Sequence, residues 1–240
     1  MEQDQLFGKP GYPDPFEFNE DVAMCFDDML MRSIPHYMEV VNLVGAYSFQ
    51  YYQKGTRVYD CGCSTGLVLE KLSQSLPAHT DIIGLDTSVP MIERASVKLR
   101  PYREEQNIQL FAKDITAFPM DHASVVICNY TMQFLPVSQR RRFLNNVHQA
   151  LVPGGILILS DKVSGSCPEF QESFVGLYEN FKRNNGYTEK EIERKKEALQ
   201  NVLIPFTSEE EESLVREVGF ATIEPILRWN NFVTWVSLKH

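Results

Sequence analysis

The sequence predicts an α/β fold: a mostly parallel sheet with helices on both faces, closed at one edge by an antiparallel hairpin. Three observations carry this. Short apolar runs alternate with helical patterns from about residue 57 to residue 160. The runs are almost continuous in Val, Ile and Leu, as strands buried on both faces must be. The last two runs, Ala221 to Leu227 and Phe232 to Leu238, are joined only by a short loop around Asn230-Asn231, which forces antiparallel pairing.

Taken in order, residues 1–18 carry Gly8, Pro10, Gly11, Pro13 and Pro15 between aromatic residues, the composition of an extended arm laid over the domain. Asn19 is placed to cap a helix from Glu20, with Val22, Ala23, Phe26, Met29 and Leu30 at helical spacing. Pro35 opens a second helix to about Gln53, and Gly55 closes it. The first strand ends at Asp60, and a helix follows to about Ser75. Asp81 to Asp86 is the second strand, followed by a helix from Pro90 to about Tyr102. Asn107 to Ala112 is the third strand and Ser124 to Asn129 the fourth. A helix spans Pro136 to Leu151, and Pro153-Gly154-Gly155 turns it into a fifth strand, Ile156 to Ser160. Two further helices, roughly 168–184 and 188–202, and one from Thr207 to Val218 precede the hairpin. The expected organisation is one domain over 1–240, with arm and helices in 1–55 and a helical insertion at 165–203.

Hydrophobic residues make up 43% and charged residues 23% of the chain, ordinary for a globular protein, but the net charge is −9. A protein gripping nucleic acid alone would present a basic face. The dense basic run Arg140-Arg141-Arg142 falls in a helix and reads as a solvated face. The charge therefore favours a small-molecule ligand over direct nucleic-acid binding. Five cysteines, odd in number and irregularly spaced, offer neither a metal-site spacing nor a disulfide framework, so no metal is expected. Cys61 and Cys128 fall in apolar strands, where small buried thiols are common. With no signal-peptide pattern at Met1 to Gln5 and no membrane-length apolar run, the expected location is cytoplasmic.

In open parallel sheets, ligands bind beyond the carboxyl ends of the strands. Those ends here are the turn Asp60 to Gly66, Asp86, Asp114-Ile115, Asn129, and Ser160-Asp161. A glycine-punctuated turn between strand and helix lets a ligand approach the backbone and meet helix-terminal N–H groups. Asp86, about 20 residues beyond it, is placed to accept both hydroxyls of a ribose. Asp114 and the Ile115 N–H suit an adenine edge. The dinucleotide fingerprint fails, because Ser64 and Leu67 stand where its second and third glycines belong. S-adenosylmethionine (SAM) has no phosphate to seat and tolerates the serine. The final hairpin also favours a methyltransferase-type sheet. No histidine falls at a strand's carboxyl end, so a general base is not evident; Asp161 and Lys162 end the fifth strand and read more readily as structural.

Three stretches lie outside what the fold requires: Asp28-Met29-Leu30-Met31-Arg32-Ser33-Ile34-Pro35-His36-Tyr37, Asn129-Tyr130-Thr131-Met132-Gln133-Phe134-Leu135, and Phe181-Lys182-Arg183-Asn184-Asn185-Gly186-Tyr187. On them, and over nearly all of the chain past the arm, the sequence resembles the carboxy-S-adenosylmethionine synthase family, enzymes of the Rossmann-like class I methyltransferase fold. The resemblance implies that SAM is a substrate that keeps its methyl. Prephenate decomposes to phenylpyruvate and carbon dioxide, the sulfonium methyl loses a proton, and the resulting ylide captures the carbon dioxide. It further implies a homodimer whose product serves a partner enzyme that carboxymethylates a wobble uridine in tRNA.

The family's ligand contacts carry over to Tyr37, Gly62, Cys63, Ser64, Asp86, Asp114, Ile115 and Asn129, which match in type. Thr87 stands where the family has asparagine and keeps one hydrogen-bonding group. The larger departure is Lys196, in place of an arginine that a neighbouring subunit contributes to grip the new carboxylate. Lysine keeps the charge and loses the planar bidentate fork. Thr188 and Glu191 form a capping box, so Ile192, Lys195, Lys196 and Leu199 share one face and Arg194 points nearly opposite. The plainer alternative has Lys195 and Lys196 flanking a packing seam with their ends in solvent. Two other readings remain open at this point: a conventional SAM-dependent methyltransferase on a small molecule, and a non-catalytic SAM-binding partner of a tRNA-modifying enzyme.

Overall fold

The computed structural model describes residues 3–8 and 15–240. Pro10, Gly11 and Pro13 of the expected arm lie outside the described residues. Seven strands form one sheet in the order β3-β2-β1-β4-β5-β7-β6. They are β1 (Arg57–Cys61), β2 (Asp81–Asp86), β3 (Asn107–Ala112), β4 (Ala123–Asn129), β5 (Leu151–Lys162), β6 (Thr222–Trp229) and β7 (Phe232–Leu238). The first five pair in parallel, and β7 runs antiparallel to both β5 and β6. Chain order reverses between β1 and β4, which opens a crevice beyond their carboxyl ends.

Among the described residues eight α-helices accompany the sheet: α1 (Glu20–Ser33), α2 (Tyr37–Tyr51), α3 (Leu67–Ser75), α4 (Val89–Lys98), α5 (Val137–Ala150), α6 (Pro168–Asn184), α7 (Glu189–Ala198) and α8 (Ser208–Glu217). Strand residues alternate between two cores, as the period of two requires. Val58, Val125, Ile127, Ile156 and Ile158 pack with α2, α3 and α4 through Val40, Val44, Leu69, Leu72 and Ala95. Their neighbours Tyr59, Val126, Cys128, Leu157 and Leu159 pack with α5 and α8 through Phe143, Val147 and Val215.

The Asn19 side chain accepts the Val22 N–H, the cap expected for α1. Several elements differ in extent from the sequence reading: α4 stops at Lys98 and α7 at Ala198, short of Tyr102 and residue 202, β6 runs on to Trp229, and two further differences have a local cause. α2 starts at Tyr37 rather than Pro35, because His36 is in the left-handed region at φ 55°. β5 begins at Leu151, since Pro153-Gly154-Gly155 sits inside a register irregularity of the strand and does not form a separate turn. One reading is overturned. Arg140 is fully buried, donating to the carbonyls of Leu135, Gln133 and Ile204 and facing Glu211 at 4.0 Å, so only part of the basic run is solvated.

The described part of the arm lies over α1 and α7. Leu6, Phe7 and Phe16 join Val22, Phe26, Met29 and Ala198 in a third apolar cluster, and the Phe16 N–H reaches the Ala198 carbonyl at 2.9 Å. Leu6–Gly8 forms one 3₁₀ turn where only extended chain was expected. The Thr188–Glu191 capping box is present at the start of α7. Arm, α1, α6 and α7 together roof the crevice at the strand ends.

Candidate active site

A cavity of about 1020 Å³ opens at the carboxyl ends of β1 and β4. Every residue carried over as a ligand contact lines it, Tyr37, Gly62, Cys63, Ser64, Asp86, Thr87, Asp114, Ile115 and Asn129, and so does Lys196. Its volume sits at the upper end for small-molecule sites, enough for a nucleoside and a second small ligand.

One wall is acidic and built from strand ends. Gly62 has φ 88°, and a Cβ there would lie 2.1 Å from Thr131 Oγ1 and 2.8 Å from Thr131 Cβ, so only glycine fits. The turn does not offer its amides to a ligand as anticipated. The Gly62 and Cys63 N–H groups both donate to the Leu85 carbonyl, at 2.7 and 2.9 Å, and the Ser64 N–H donates to Asp86 Oδ2 at 2.9 Å. Those amides fasten the turn to β2. Thr65 is tied in turn to Asp27 of α1, which pairs with Lys98 at 2.6 Å.

What this wall presents instead is acceptors. Asp60 is buried, and among the described residues neither carboxylate oxygen has a hydrogen-bond partner; Asn129 Oδ1 is in the same condition. Burial, with the nearby Asp86 charge added, pushes the Asp60 carboxyl up to about 8. Burial likewise pushes the Tyr37 phenol up, with Asp60 second, so it stays protonated beside them. Asp86 takes one backbone N–H on each oxygen, from Ser88 at 2.8 Å and from Ser64, which aims its remaining lone pairs at the cavity. Asp114 Oδ1 accepts the Thr116 N–H at 2.8 Å, leaving Oδ2 to a ligand, next to the buried Ile115. Thr87 is exposed at the rim. A carboxylate and an amide oxygen without donors, beside two carboxylates with acceptor capacity to spare, fit a ligand with an ammonium, a sulfonium and ribose hydroxyls, which is the inventory of SAM.

The other wall is basic. Lys162 ends β5, Lys182 lies on α6, and Lys195 and Lys196 lie on α7. The Lys162 and Lys182 ammoniums stand 4.9 and 4.5 Å from the centroid of the Tyr178 ring. Burial drives Lys162 down to about 8, with Lys196 adding to it, and Lys182 down to about 7, with Lys162 adding to it. Lys196 is mostly exposed and pairs with Glu179 at 3.4 Å. Within one chain, Lys196 lines that chain's own cavity.

Lys195 is buried, which overturns the reading that leaves its end in solvent. Its Nζ lies 2.8 Å from Ser33 Oγ and 3.7 Å from the buried Asp4 of the arm. Arg194 points away and donates to the Phe7 carbonyl, so it does not stand in for Lys196. The strand-five pair divides. Asp161 is fully buried beneath the cavity floor, while Lys162 lines the cavity, its N–H held by Gln133 Oε1 at 2.9 Å. Tyr178 and Lys182 are cavity residues that the sequence does not single out, and Asp60, placed there at a strand end, is given no ligand role of its own. The signal for Lys182 was present in the stretch Phe181 to Tyr187, which marks a resemblance without marking which side chain faces inward.

The arrangement matches known proteins at two levels. Residues 58–155 match the family model described as a methyltransferase domain. A putative O-methyltransferase from Nostoc punctiforme superposes with a TM-score of 0.63 at 16% identity, covering 92% of this chain and 59% of that one. Magnesium protoporphyrin IX methyltransferase from Synechocystis, solved with bound S-adenosylhomocysteine, gives 0.62 at 14% identity, covering 88% and 87%. At those identities the likeness is one of fold. Sequence comparison goes further. The carboxy-S-adenosyl-L-methionine synthase of Trichodesmium erythraeum is 43% identical over 99% of this chain and 94% of that protein, and the Helicobacter hepaticus enzyme is 40% identical over 99% and 100%. Likeness of that extent, spanning arm, sheet and roof helices, decides the matter: the chain belongs to the carboxy-S-adenosyl-L-methionine synthase family, transferases built on the class I methyltransferase fold.

Proposed function

We propose that the protein carboxylates the sulfonium methyl of SAM with carbon dioxide released from prephenate, giving carboxy-SAM, phenylpyruvate and water. The observation that carries this reading is a single cavity with partnerless acceptors on one wall and ammoniums on the other. A cation and a dianion are both substrates of such a reaction, and this cavity has a surface for each.

The balance of the reaction is closed. Prephenate's ring carboxylate leaves as carbon dioxide, and the electrons of that bond make the ring aromatic and expel its hydroxyl as hydroxide. The hydroxide takes the proton lost by the sulfonium methyl, and the methyl carbon bonds to the carbon dioxide. No protein base is needed, in keeping with a cavity that no histidine lines. The residues supply position and charge. Asp60 and Asn129 take the ammonium end of SAM, Asp86 the ribose, Asp114 and Ile115 the adenine. Gly62, Cys63 and Ser64 pass along the methionine tail, Thr87 lies beside the ribose, and Tyr37 stays protonated as a donor. Lys196, released from Glu179, gives the new carboxylate a counter-charge.

We also propose a homodimer. Phe170, Phe174 and Leu177 recur at i, i+4 and i+7 of α6, and Phe170 and Leu177 are 58% and 56% exposed, which supports a face for a second copy. The product is proposed to serve an enzyme modifying a wobble uridine in tRNA, in the cytoplasm; the acidic chain fits a supplier that does not touch tRNA itself. Among the described residues no helix is long and apolar enough to cross a membrane.

The test is incubation with SAM and prephenate, read by mass spectrometry. Carboxylated sulfonium and phenylpyruvate in equal amounts are expected. Unchanged prephenate, or S-adenosylhomocysteine formed with a nucleophile, would sink the proposal.

A further inference from the structure

Two buried or half-buried ammoniums flank one aromatic ring on the basic wall, and nothing in the SAM half accounts for them. Lys182 is 6% exposed. Among the described residues neither Lys182 nor Lys162 has an ion-pair or hydrogen-bond partner for its ammonium; each has the Tyr178 ring face and, farther off, the charge of Glu179. The nearby carboxylate, Glu179, is engaged elsewhere, with Lys196 at 3.4 Å and Arg183 at 3.6 Å. A cation–π contact contributes about 0.5–2 kcal/mol, whereas removing an ammonium from water costs several. The site as built is short of one anion.

The surroundings describe the rest of that ligand. Tyr178 packs against Phe232 at 5.0 Å, Phe232 against Tyr130 at 6.0 Å, and Tyr130 against Tyr37 at 6.3 Å. All four rings line the cavity, so a continuous aromatic track runs from the lysine pair to the SAM side. A ligand with an anionic end and a flat apolar body fits that track. Lys162 is held there from behind: Gln133 accepts its N–H, and buried Arg140 holds the Gln133 carbonyl at 3.2 Å.

We propose that Lys162 and Lys182 form an anion subsite that holds the carboxylate the co-substrate keeps, the α-keto-acid end, with its ring along Tyr178 and Phe232. This rests on the reaction proposed above and assigns the two carboxylates of its substrate. A carboxylate leaving as carbon dioxide loses its charge in the transition state. Gripping it between two ammoniums would stabilise the ground state more than the transition state and slow the step. The strong cationic site is therefore matched to the carboxylate that does not react. The reacting one lies toward the SAM methyl, near the exposed Lys196.

The probe is phenylpyruvate, which retains only the carboxylate in question, titrated calorimetrically into SAM-loaded protein. Wild type is expected to bind it, and Lys182→Met and Lys162→Met are each expected to weaken it at least about tenfold. Lys182→Arg is expected to recover most of the loss. The uncharged ketone phenylacetone is expected to bind weakly and equally to all of them. SAM affinity, measured alongside, stays at the wild-type value and shows that each variant is folded. Phenylpyruvate affinity that is unchanged in both methionine variants, or lost equally for phenylacetone, overturns the subsite. Binding is read without turnover, so this failure is distinct from that of the reaction: wild type making carboxy-SAM, with the KM for prephenate unmoved in both variants, overturns the subsite and leaves the reaction standing.

Discussion

The acidic and basic walls of the cavity were assembled from different parts of the chain by different means. Asp60, Asp86, Asp114 and Asn129 stand at or just beyond the ends of parallel strands, where sheet register fixes each side chain. On the basic wall only Lys162 comes from a strand end; Lys182, Lys195 and Lys196 stand on α6 and α7, helices that roof the crevice and are placed by side-chain packing. The first wall holds a carboxylate, Asp60, and an amide oxygen, Asn129 Oδ1, that lack donors; the second holds two ammoniums, Lys162 and Lys182, that lack acceptors. A protein of net charge −9 thus keeps a local cluster of positive charge on one wall, where the proposed dianion would enter.

The largest effect is expected where the acidic wall has no freedom at all. A Cβ at Gly62 meets Oγ1, Cγ2 and Cβ of Thr131, so rotating that side chain does not relieve it, and φ 88° is strained for any other residue. Gly62→Ala is expected to lower stability by about 3 kcal/mol or more and to abolish SAM binding. A thermal melt and SAM titration at wild-type values would show that the turn is not the rigid element described here.

Asp60→Asn should split stability from binding. The folded-state value of about 8 lies above the ordinary 3.8, so the native protein holds the proton more tightly than the unfolded chain. Stability therefore falls as pH rises from about 4 to about 8, and the penalty is complete above that. Asparagine removes the ionisable group. The ligand-free variant is expected to gain about 1 kcal/mol at pH 8, to lose the pH slope, and to bind SAM at least about tenfold more weakly. A variant that is destabilised at pH 8 with SAM affinity intact would mean that Asp60 is a structural acid.

How far the site could be read beforehand follows the same division. The bounds of β2 and β3 were legible to the residue, because apolar runs ending in Asp86 and Ala112 admit few alternatives, and with them came Asp86 and Asp114. That the turn's amides are spent on Leu85 and Asp86 was not legible, since sequence shows a glycine and not where its N–H points. Lys182 reads as one more charge on an amphipathic helix; only the packing of α6 with α1 and α7 turns it inward. Arg140 misled for the same reason, in a run of three arginines whose first member is buried and whose second is exposed. Lys195 waited on Asp4, a residue of the arm nearly two hundred positions away in sequence.

The two walls should also respond oppositely to pH, by several-fold per unit. SAM binding favours ionised Asp60, so below about 8 it releases a proton and its affinity rises with pH to that point. Anion binding favours protonated Lys162 and Lys182, so its affinity is flat below about 7 and falls above about 8. Lys196, Lys195 and Glu179 face the same pair and broaden the transition without reversing its sign. The KM for SAM is expected to fall up to about pH 8 and then level off, and that for prephenate to rise between pH 7 and 9. Parallel trends in the two constants would remove the charge division on which the comparison rests.

The smallest effect tests the border between the walls. Lys196 carries a single point charge shared with Glu179, and arginine would present a planar fork to a carboxylate while keeping that pair. Lys196→Arg is expected to tighten binding of carboxy-SAM about two- to fivefold and to leave SAM itself unchanged, because the fork meets only the added carboxylate. Slower product release would then lower kcat by a similar factor while initial carboxylation in a single turnover keeps its rate. If carboxy-SAM affinity does not move, Lys196 belongs with Glu179 to the solvated rim. The new carboxylate must then lie deeper, within reach of Lys162, and the two anion sites inferred here would merge into one.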